Sequence, residues 1–291
     1  MDAQTRMPST SELARFLART RRKLSACRAA DGVGAPGAEV GIRDLGPGFV
    51  TWKIVDDGAS TPTASSDRVF WLAPERAITG EDVREAVQFY LGLGRGRAFF
   101  VVAPWAWSEG LGGEMLSAGM RPWPYVRYPV LMRETAERAN EAWRETAFTV
   151  RIVGGVGSGG DGGEIDRVLG AIGPWYGREW LPLVRRVVTE ANAELHVAFD
   201  GEGLEARPVA IGGVVVDGEW AYVCFGATEE ASRGRGAQTA LFRSRLLSAR
   251  ARGARWCVGE TNTVAEQSLR NFLRCGFVEV CEMVVWGWEE A

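Results

Sequence analysis

The chain has 291 residues, of which 46% are hydrophobic, and its formal net charge is -3 at neutral pH. This length accommodates one large domain or two ordinary ones with a real core, and we expect two. A net charge of -3 gives no basic excess, which argues against nucleic acid as the main partner.

The cysteines and the single histidine argue against a metal site. His196 lies in an apolar run, so we expect a structural role for it. The cysteines are odd in number and lack paired metal spacing, which is typical of buried free thiols in a reducing compartment. No apolar run approaches the ~20 residues that span a bilayer, and we therefore expect a soluble cytoplasmic protein without a membrane partner. The five cysteines are Cys27, Cys224, Cys257, Cys275 and Cys281.

Helical and strand patterns alternate along the first half of the chain. A Ser9-to-Glu12 capping box opens the first predicted helix, and glycines and prolines over 32–48 predict an irregular segment. A charged stretch then predicts a linker helix over 135–147, between domains over 1–134 and 148–291. The elements predicted before it are helices over 11–29, 81–91 and 108–118 and strands over 49–56, 68–73, 98–103 and 126–132.

The second half opens with a strand over 148–153 and a glycine-rich run. Gly155, Gly157 and Gly160 match the G-x-G-x-x-G spacing of a dinucleotide fold. In that fold the next strand ends about 20 residues on, whereas here it ends at Asp200, 40 residues after Gly160. We interpret the run as a surface loop and retain an NAD-binding oxidoreductase as a minor alternative.

The remaining elements predict a mixed α/β domain. A bend over 173–177 separates its first two helices, and one or two strands close it over 277–286. Between these lie helices over 164–172, 179–193, 237–252 and 265–274 and strands over 195–200, 208–216, 219–228 and 255–261.

The loop before the helix over 237–252 predicts an anion site. Gly234 and Gly236 let the backbone approach a ligand closely, and Arg233 and Arg235 add positive charge. The first turn of the helix adds free N–H groups and the positive end of its dipole.

These residues resemble the GNAT acetyltransferase superfamily. Arg233, Gly236 and Gln238 occupy three positions of its Arg/Gln-x-x-Gly-x-Gly/Ala acyl-CoA motif, with Gln238 departing from the usual small residue. The segment Asn271 to Phe277 is similar to the closing segment of the family, and the order of elements from Phe148 onward is similar to its fold. The resemblance covers about half the chain and implies acetyl-CoA as cofactor.

The resemblance also implies roles for individual residues. The pyrophosphate of coenzyme A (CoA) would bind Arg233 and the amides that follow it, namely those of Gly234, Arg235, Gly236, Ala237, Gln238 and Thr239. The pantetheine arm would contact Ala227, Thr228 and Asn271. Trp175 and Tyr176 would line the acceptor pocket.

A general base and an acid are needed for amine acetylation. Glu260 is our first expectation for the base, with Glu219 and Glu229 next. At the position where the family usually has a tyrosine as the acid, this chain has Phe272, which cannot donate a proton. Tyr176 or water would then serve, or the thiolate would leave unaided.

An internal repeat makes the first half interpretable. A shift of 157 positions aligns Gly96 with Gly253 and Gly119 with Gly276. It also aligns Arg76 with Arg233, but 77–80 then lack the glycines of the loop, and Glu114 replaces Asn271. We infer a degenerate, partial GNAT-like copy that has lost the phosphate site.

The resulting hypothesis is direct acyl transfer from acetyl-CoA to a primary amine of a small molecule or peptide. The alternative is a non-catalytic acyl-CoA-binding module, supported by Phe272. The identity of the acceptor is not specified by the sequence, and both a monomer and a homodimer are compatible with it.

Overall fold

The structure is a computed structural model that describes residues 7–31, 38–55, 67–72, 76–136, 146–155, 162–177, 180–191, 193–201, 203 and 206–290. It divides into a first unit, Met1–Tyr128 with Glu282–Ala291, and a second unit, Pro129–Cys281. The division differs from the expected domain ranges mainly in assigning the C-terminal residues to the first unit. Most of the predicted linker helix, 137–145, lies outside the described residues.

The helices and strands are numbered here in chain order. The helices are α1 (Thr10–Asp31), α2 (Gly80–Gly92), α3 (Leu111–Ser117), α4 (Gly162–Tyr176), α5 (Leu181–Glu190), α6 (Ala237–Ala251) and α7 (Glu266–Arg274). The strands are β1 (Ala38–Leu45), β2 (Gly48–Val55), β3 (Arg68–Trp71), β4 (Arg97–Val102), β5 (Met120–Glu134), β6 (Thr149–Gly154), β7 (Ala193–Asp200), β8 (Arg207–Asp217), β9 (Trp220–Thr228), β10 (Trp256–Glu260) and β11 (Val278–Glu289). In the described part of the chain, no helix combines the length and apolarity needed to cross a bilayer.

The first unit is built on a sheet in the order β1-β2-β3-β4, completed by the C-terminal part of β11. Strands β3 and β4 are parallel, whereas β1 with β2, β2 with β3, and β4 with β11 are antiparallel. Side chains of α2, among them Tyr90, pack on the buried strand residues Trp71 and Phe100. This packing gives the unit its own hydrophobic core.

Strand β1 corrects the prediction of an irregular segment over 32–48 for Ala38–Leu45, and residues 32–37 lie outside the described part of the chain. The strand pairs along its full length with β2, from Ala38↔Val55 to Leu45↔Gly48. A glycine weakens a strand in isolation, but the ring of Trp52 on β2 covers Gly41 across the pair. Tertiary pairing therefore overrides the local preference for irregular structure.

The second unit has the strand order β10-β9-β8-β7-β6, with the segment Val130–Glu134 of β5 paired to β10. Helices α4 and α5 pack on one face, against Leu195 and Val197 of β7. Helix α6 packs on the other face, against β7, β8 and β9. The period-2 alternation of β7 thus separates two layers of helices.

The two units share their element order at the predicted offset. Gly80 begins α2 and Ala237 begins α6, 157 positions later, and each helix connects two parallel strands. Helices α3 and α7 also end at equivalent positions, Ser117 and Arg274. The first unit is therefore a partial copy of the second.

Candidate functional site

Strands β9 and β10 of the second unit separate before they end. Their parallel pairing stops at Gly259↔Val223, although β9 continues to Thr228. At this point β9 has a bulge, with a register shift opposite Gly212 and a φ of 56° at Phe225. A positive φ is costly for a bulky residue, so the bulge marks a constrained position. The separation leaves one edge of β9 open.

A cleft of about 1490 Å³ opens at this separation, within the second unit. Its lining comes from the ends of β9 and β10 and from helices on both faces of the sheet. The predicted site residues all lie along it: Trp175, Tyr176, Ala227, Thr228, Arg233, Gly234, Arg235, Gly236, Ala237, Gln238, Thr239, Glu260 and Asn271. A sequence segment of almost 100 positions is thus gathered around one opening.

The Arg/Gly loop forms one end of the cleft. Gly236 is the N-cap of α6, with a φ of 91° and no side-chain cap, and Gly234 has a φ of 75°. Among the described residues, no hydrogen-bond acceptor engages the backbone N–H groups from Gly234 to Thr239. A Cβ at Gly234 would meet open space, whereas one at Gly236 would lie 3.0 Å from Thr146 Cγ2. These donors and the helix dipole make the loop suited to an anion.

The two arginines of the loop differ in their partners. Arg235 donates to Asp200 at 2.7 Å (Nη1 to Oδ2), and its guanidinium lies 4.9 Å from the Phe148 ring centroid. Arg233 is exposed, and no carboxylate in the described part of the chain pairs with it. Arg233 therefore keeps its charge available for a ligand.

Gln238 connects the first turn of α6 to β9. Its Nε2 donates to the Ala227 carbonyl and to Thr228 Oγ1, each at 2.9 Å. The usual small residue of the motif could not make these bonds. The departure from the motif thus has a structural use, and the Ala227 carbonyl already has a donor.

Glu260 lies at the end of β10, on the cleft. Tyr222 of β9 donates its hydroxyl to Glu260 Oε1 at 3.1 Å. Neither alternative carboxylate lines the cleft: Glu219 lies before the first residue of β9, and Glu229 forms an ion pair with Arg207 at 2.6 Å. The Arg207 hydrogen bond lowers the pKa of Glu229, which makes it a weaker base.

The predicted bend over 173–177 is wrong for most of its length. Helix α4 continues through Pro174 to Tyr176 and turns only at Gly177, whose φ is 102°. Proline removes one helical hydrogen bond, but its fixed φ is compatible with helical geometry. Trp175 therefore lines the cleft from a helix end, and burial raises the pKa of Tyr176, so its phenol keeps its proton at neutral pH.

Asn271 and Phe272 occupy the α7 side of the cleft. Asn271 Oδ1 accepts from Gln267 Nε2 at 3.0 Å. Phe272 is 5% exposed and packs edge-on against Phe242, with ring centroids 4.9 Å apart, and against Gly259. The position that the resemblance assigns to a tyrosine is thus a core contact.

His196 does not line the cleft, and each of its ring nitrogens has a polar side-chain neighbour. Its Nδ1 is 2.8 Å from Ser244 Oγ and its Nε2 is 3.2 Å from Glu194 Oε2. Burial lowers the pKa of this imidazole. Gly155 of the rival motif also packs beside Glu194, and Gly157 and Gly160 lie outside the described residues.

Three residues in or beside the cleft were not predicted from the sequence. Tyr222 reaches Glu260 only because β9 and β10 pair in parallel with Tyr222 opposite Val258, a register that the sequence does not specify. Thr146 contacts the loop from a distant segment. Arg245 carried a signal, because helical spacing aligns it with the buried Leu241 and Ala249 on the apolar face of α6.

No protein-family profile and no curated protein matches this sequence. Solved structures do match over nearly the whole chain. A tandem GNAT protein from the clavulanic acid biosynthesis pathway is 14% identical, covers 94% of this chain and 95% of its own, and has a TM-score of 0.59. A GCN5-related N-acetyltransferase from Kribbella flavida is 16% identical over 98% of both chains, with a TM-score of 0.57. One from Sphaerobacter thermophilus is 17% identical over 98% of this chain and 94% of its own, with a TM-score of 0.56.

At these identities the similarity establishes the fold. The chain has the mixed α/β fold of GNAT acetyltransferases in its C-terminal half and a partial copy of it in its N-terminal half. The predicted fold class is confirmed.

Proposed function

We propose that this protein transfers an acetyl group from acetyl-CoA to a primary amine by direct transfer in a ternary complex. The observation that carries the proposal is the run of N–H groups from Gly234 to Thr239, which have no acceptor among the described residues and open onto the gap between β9 and β10. An anion site joined to an open strand edge suits a ligand with a pyrophosphate and a peptide-like arm.

The residues present are chemically suited to CoA. Six successive amides and the exposed Arg233 supply donors and charge for the pyrophosphate. The open edge of β9 near Thr228 and the side chain of Asn271 supply hydrogen-bonding groups for the arm. Gly234 leaves space where a side chain would crowd a phosphate.

The reaction would need two proton movements. The amine nitrogen attacks the thioester carbonyl carbon, the carbon–sulfur bond breaks, and its electron pair passes to sulfur. Glu260 would accept the proton that the amine loses, and its hydrogen bond from Tyr222 would hold its carboxylate in position. The sulfur would take a proton from Tyr176 or from water, since Phe272 has none to give.

The acceptor would enter beside the aromatic end of α4. Trp175 and Tyr176 are both partly buried and meet edge to face, with centroids 6.4 Å apart. Aromatic walls beside a carboxylate suit an amine carried on an apolar or peptide-like body. We therefore propose a small molecule or peptide amine as the acceptor class.

A binding module is the second candidate, favoured by the buried Phe272 in place of a proton donor. To separate the two candidates, acetyl-CoA would be mixed with a panel of amines, peptides and aminoglycosides while thiol release is followed. Release that depends on an amine supports the enzyme, and tight CoA binding without turnover across the panel supports the module. If NAD rather than CoA raises the melting temperature, the acyl-CoA assignment itself is wrong.

Glu260→Gln tests the base. Glutamine cannot accept the proton, so we expect kcat to fall by about 100-fold or more, as is typical for loss of a general base. The residual rate should rise with pH as the amine loses its proton unaided, and CoA affinity should not change. The exposed Glu279→Gln is the matched control. Full activity of Glu260→Gln across the pH range would remove Glu260 as the base.

A further inference from the structure

Arg245 of α6 is a buried cation on the wall of the cleft. Only 2% of the residue is exposed, and its Nη2 has no hydrogen-bond partner among the described residues. Its Nε donates to the Leu241 carbonyl at 3.1 Å, and its Nη1 lies 3.5 Å from the Gly213 carbonyl, at the limit of a hydrogen bond. The guanidinium also lies 4.4 Å from the centroid of the Phe242 ring.

No carboxylate in the described part of the chain neutralises Arg245. The titratable groups near it are the thiols of Cys257, Cys224 and Cys275 and the imidazole of His196. Burial raises the pKa of the Cys257 thiol to about 12, so that thiol stays neutral. A buried, uncompensated cation is costly, and an apolar residue of similar volume would stabilise the fold better. The charge is therefore best explained by an anion that arrives in the cleft.

The position of Arg245 along α6 indicates which anion this is. Arg245 lies nine positions after Gly236, which corresponds to about 14 Å of helix rise. An extended pantetheine arm, about four residue lengths, spans roughly the same distance. Gln238 contacts the Thr228 end of β9, whereas Arg245 contacts Gly213, which pairs with Cys224 beside the bulge. Arg245 thus lies at the depth of the thiol end of the coenzyme rather than of its phosphates.

We propose that Arg245 stabilises the coenzyme thiolate as the acyl group leaves, a role that rests on the proposed acyl transfer. The electron pair of the breaking carbon–sulfur bond passes to sulfur, where the guanidinium offsets the new negative charge. The thiolate then takes a proton from water and departs as the thiol. This arrangement replaces donation by a tyrosine with a fixed charge, in a fold where Phe272 cannot donate.

The test compares the binding of CoA with that of desulfo-CoA, which lacks the sulfur, by calorimetry on the full-length protein. A guanidinium that holds the thiolate lowers the pKa of the bound thiol, so CoA should gain affinity relative to desulfo-CoA as pH rises. We expect the ratio of the two affinities to increase about tenfold between about pH 7 and about pH 9. Arg245→Lys should keep most of this increase and Arg245→Met should lose it.

Several controls separate the possible outcomes. The exposed Arg243→Met, on the same helix, should behave as wild type, and melting temperatures verify that each variant is folded. An affinity ratio that is flat with pH in the wild type, or unchanged in Arg245→Met, would overturn the role of Arg245 and leave the coenzyme site standing. Failure of both ligands to bind the wild type would overturn the acyl-CoA site, and this inference with it.

Discussion

Helices α2 and α6 begin at equivalent positions of the two units, and each follows the first of two parallel strands. The N-cap of α6 is Gly236, which offers no side chain to the first turn. The N-cap of α2 is Thr79, the residue 157 positions earlier, and it forms a complete capping box with Asp82. The equivalent helix start therefore has a side-chain cap in the first unit and no side-chain cap in the second.

At the start of α2 the negative charge comes from side chains of the protein itself. Asp82 accepts from both Nη atoms of Arg76 at 2.6 Å and 2.5 Å, and from the N–H of Thr79 at 2.8 Å. The Glu114 carboxylate lies beside Gly80, where the second unit has Asn271. Two carboxylates thus occupy the positive end of the helix, and Arg76, the counterpart of Arg233, pairs with one of them.

The comparison shows that equivalent helix starts differ both in capping side chains and in N-cap backbone, with a φ of -111° at Thr79 and 91° at Gly236. A helix start needs acceptors for its first N–H groups, and either a side chain or a ligand can supply them. In the first unit two side chains supply acceptors: Thr79 Oγ1 accepts from the N–H of Asp82, and Asp82 Oδ2 accepts from the N–H of Thr79. In the second unit the donors remain available, and we propose that CoA supplies the acceptors.

Gly236→Asp should have the largest effect on CoA affinity, because it places a carboxylate at the start of α6, as Asp82 does at the start of α2. The φ of 91°, the nearby Thr146 and the added charge all oppose a bound pyrophosphate. We expect CoA affinity to fall by at least about 100-fold, or ~2.7 kcal/mol, measured by calorimetry. Gly110→Asp is the control, since Gly110 is also a helix N-cap with positive φ but belongs to the first unit. Unchanged affinity in Gly236→Asp would mean that the loop does not hold the ligand.

Asp82→Asn should destabilise the first unit by about 1–2 kcal/mol at neutral pH, as for loss of a helix cap. Burial raises the pKa of Asp82, but its hydrogen bonds to Arg76 and Thr79 outweigh this and leave the pKa lowered. The stabilisation is therefore present at neutral pH and is lost as pH falls through the folded-state pKa.

Hydrogen exchange of α2 amides at several pH values measures this effect. The difference between wild type and Asp82→Asn should shrink toward acid pH, while the exposed Glu85→Gln on the same helix should have little effect. A difference that persists at acid pH would show that packing, rather than the charged cap, closes α2.

Replacing either of the two equivalent arginines should have the smallest effect on CoA affinity. Arg233→Met should weaken CoA binding about tenfold or less and reduce its salt dependence, because one exposed charge is lost. Arg76→Met removes the equivalent residue of the first unit and should leave CoA affinity unchanged. Equal effects of the two variants on affinity would contradict the assignment of the ligand to the second unit.

Several features of the fold follow from local sequence. The strand alternation of β7 and the apolar stripe of α6 predict elements close to those observed, because side-chain periodicity is a local property. Strand β1 and the continuation of α4 through Pro174 were not predicted. Both depend on partners, since Trp52 covers Gly41 across a strand pair and the apolar face of α4 packs on β7.

Three features follow from the sequence by itself: the anion-site pattern of glycines and arginines in the loop, the apolar periodicity of the elements, and the repeat that relates Gly236 to Thr79. These are fixed by residue type and spacing, which chain order preserves. Only the tertiary structure decided which charges remain available: Arg235 pairs with Asp200, Arg76 pairs with Asp82, and Arg245 has no carboxylate partner among the described residues. The physical reason is that the state of a charge depends on burial and on neighbours brought together by strand register and helix packing.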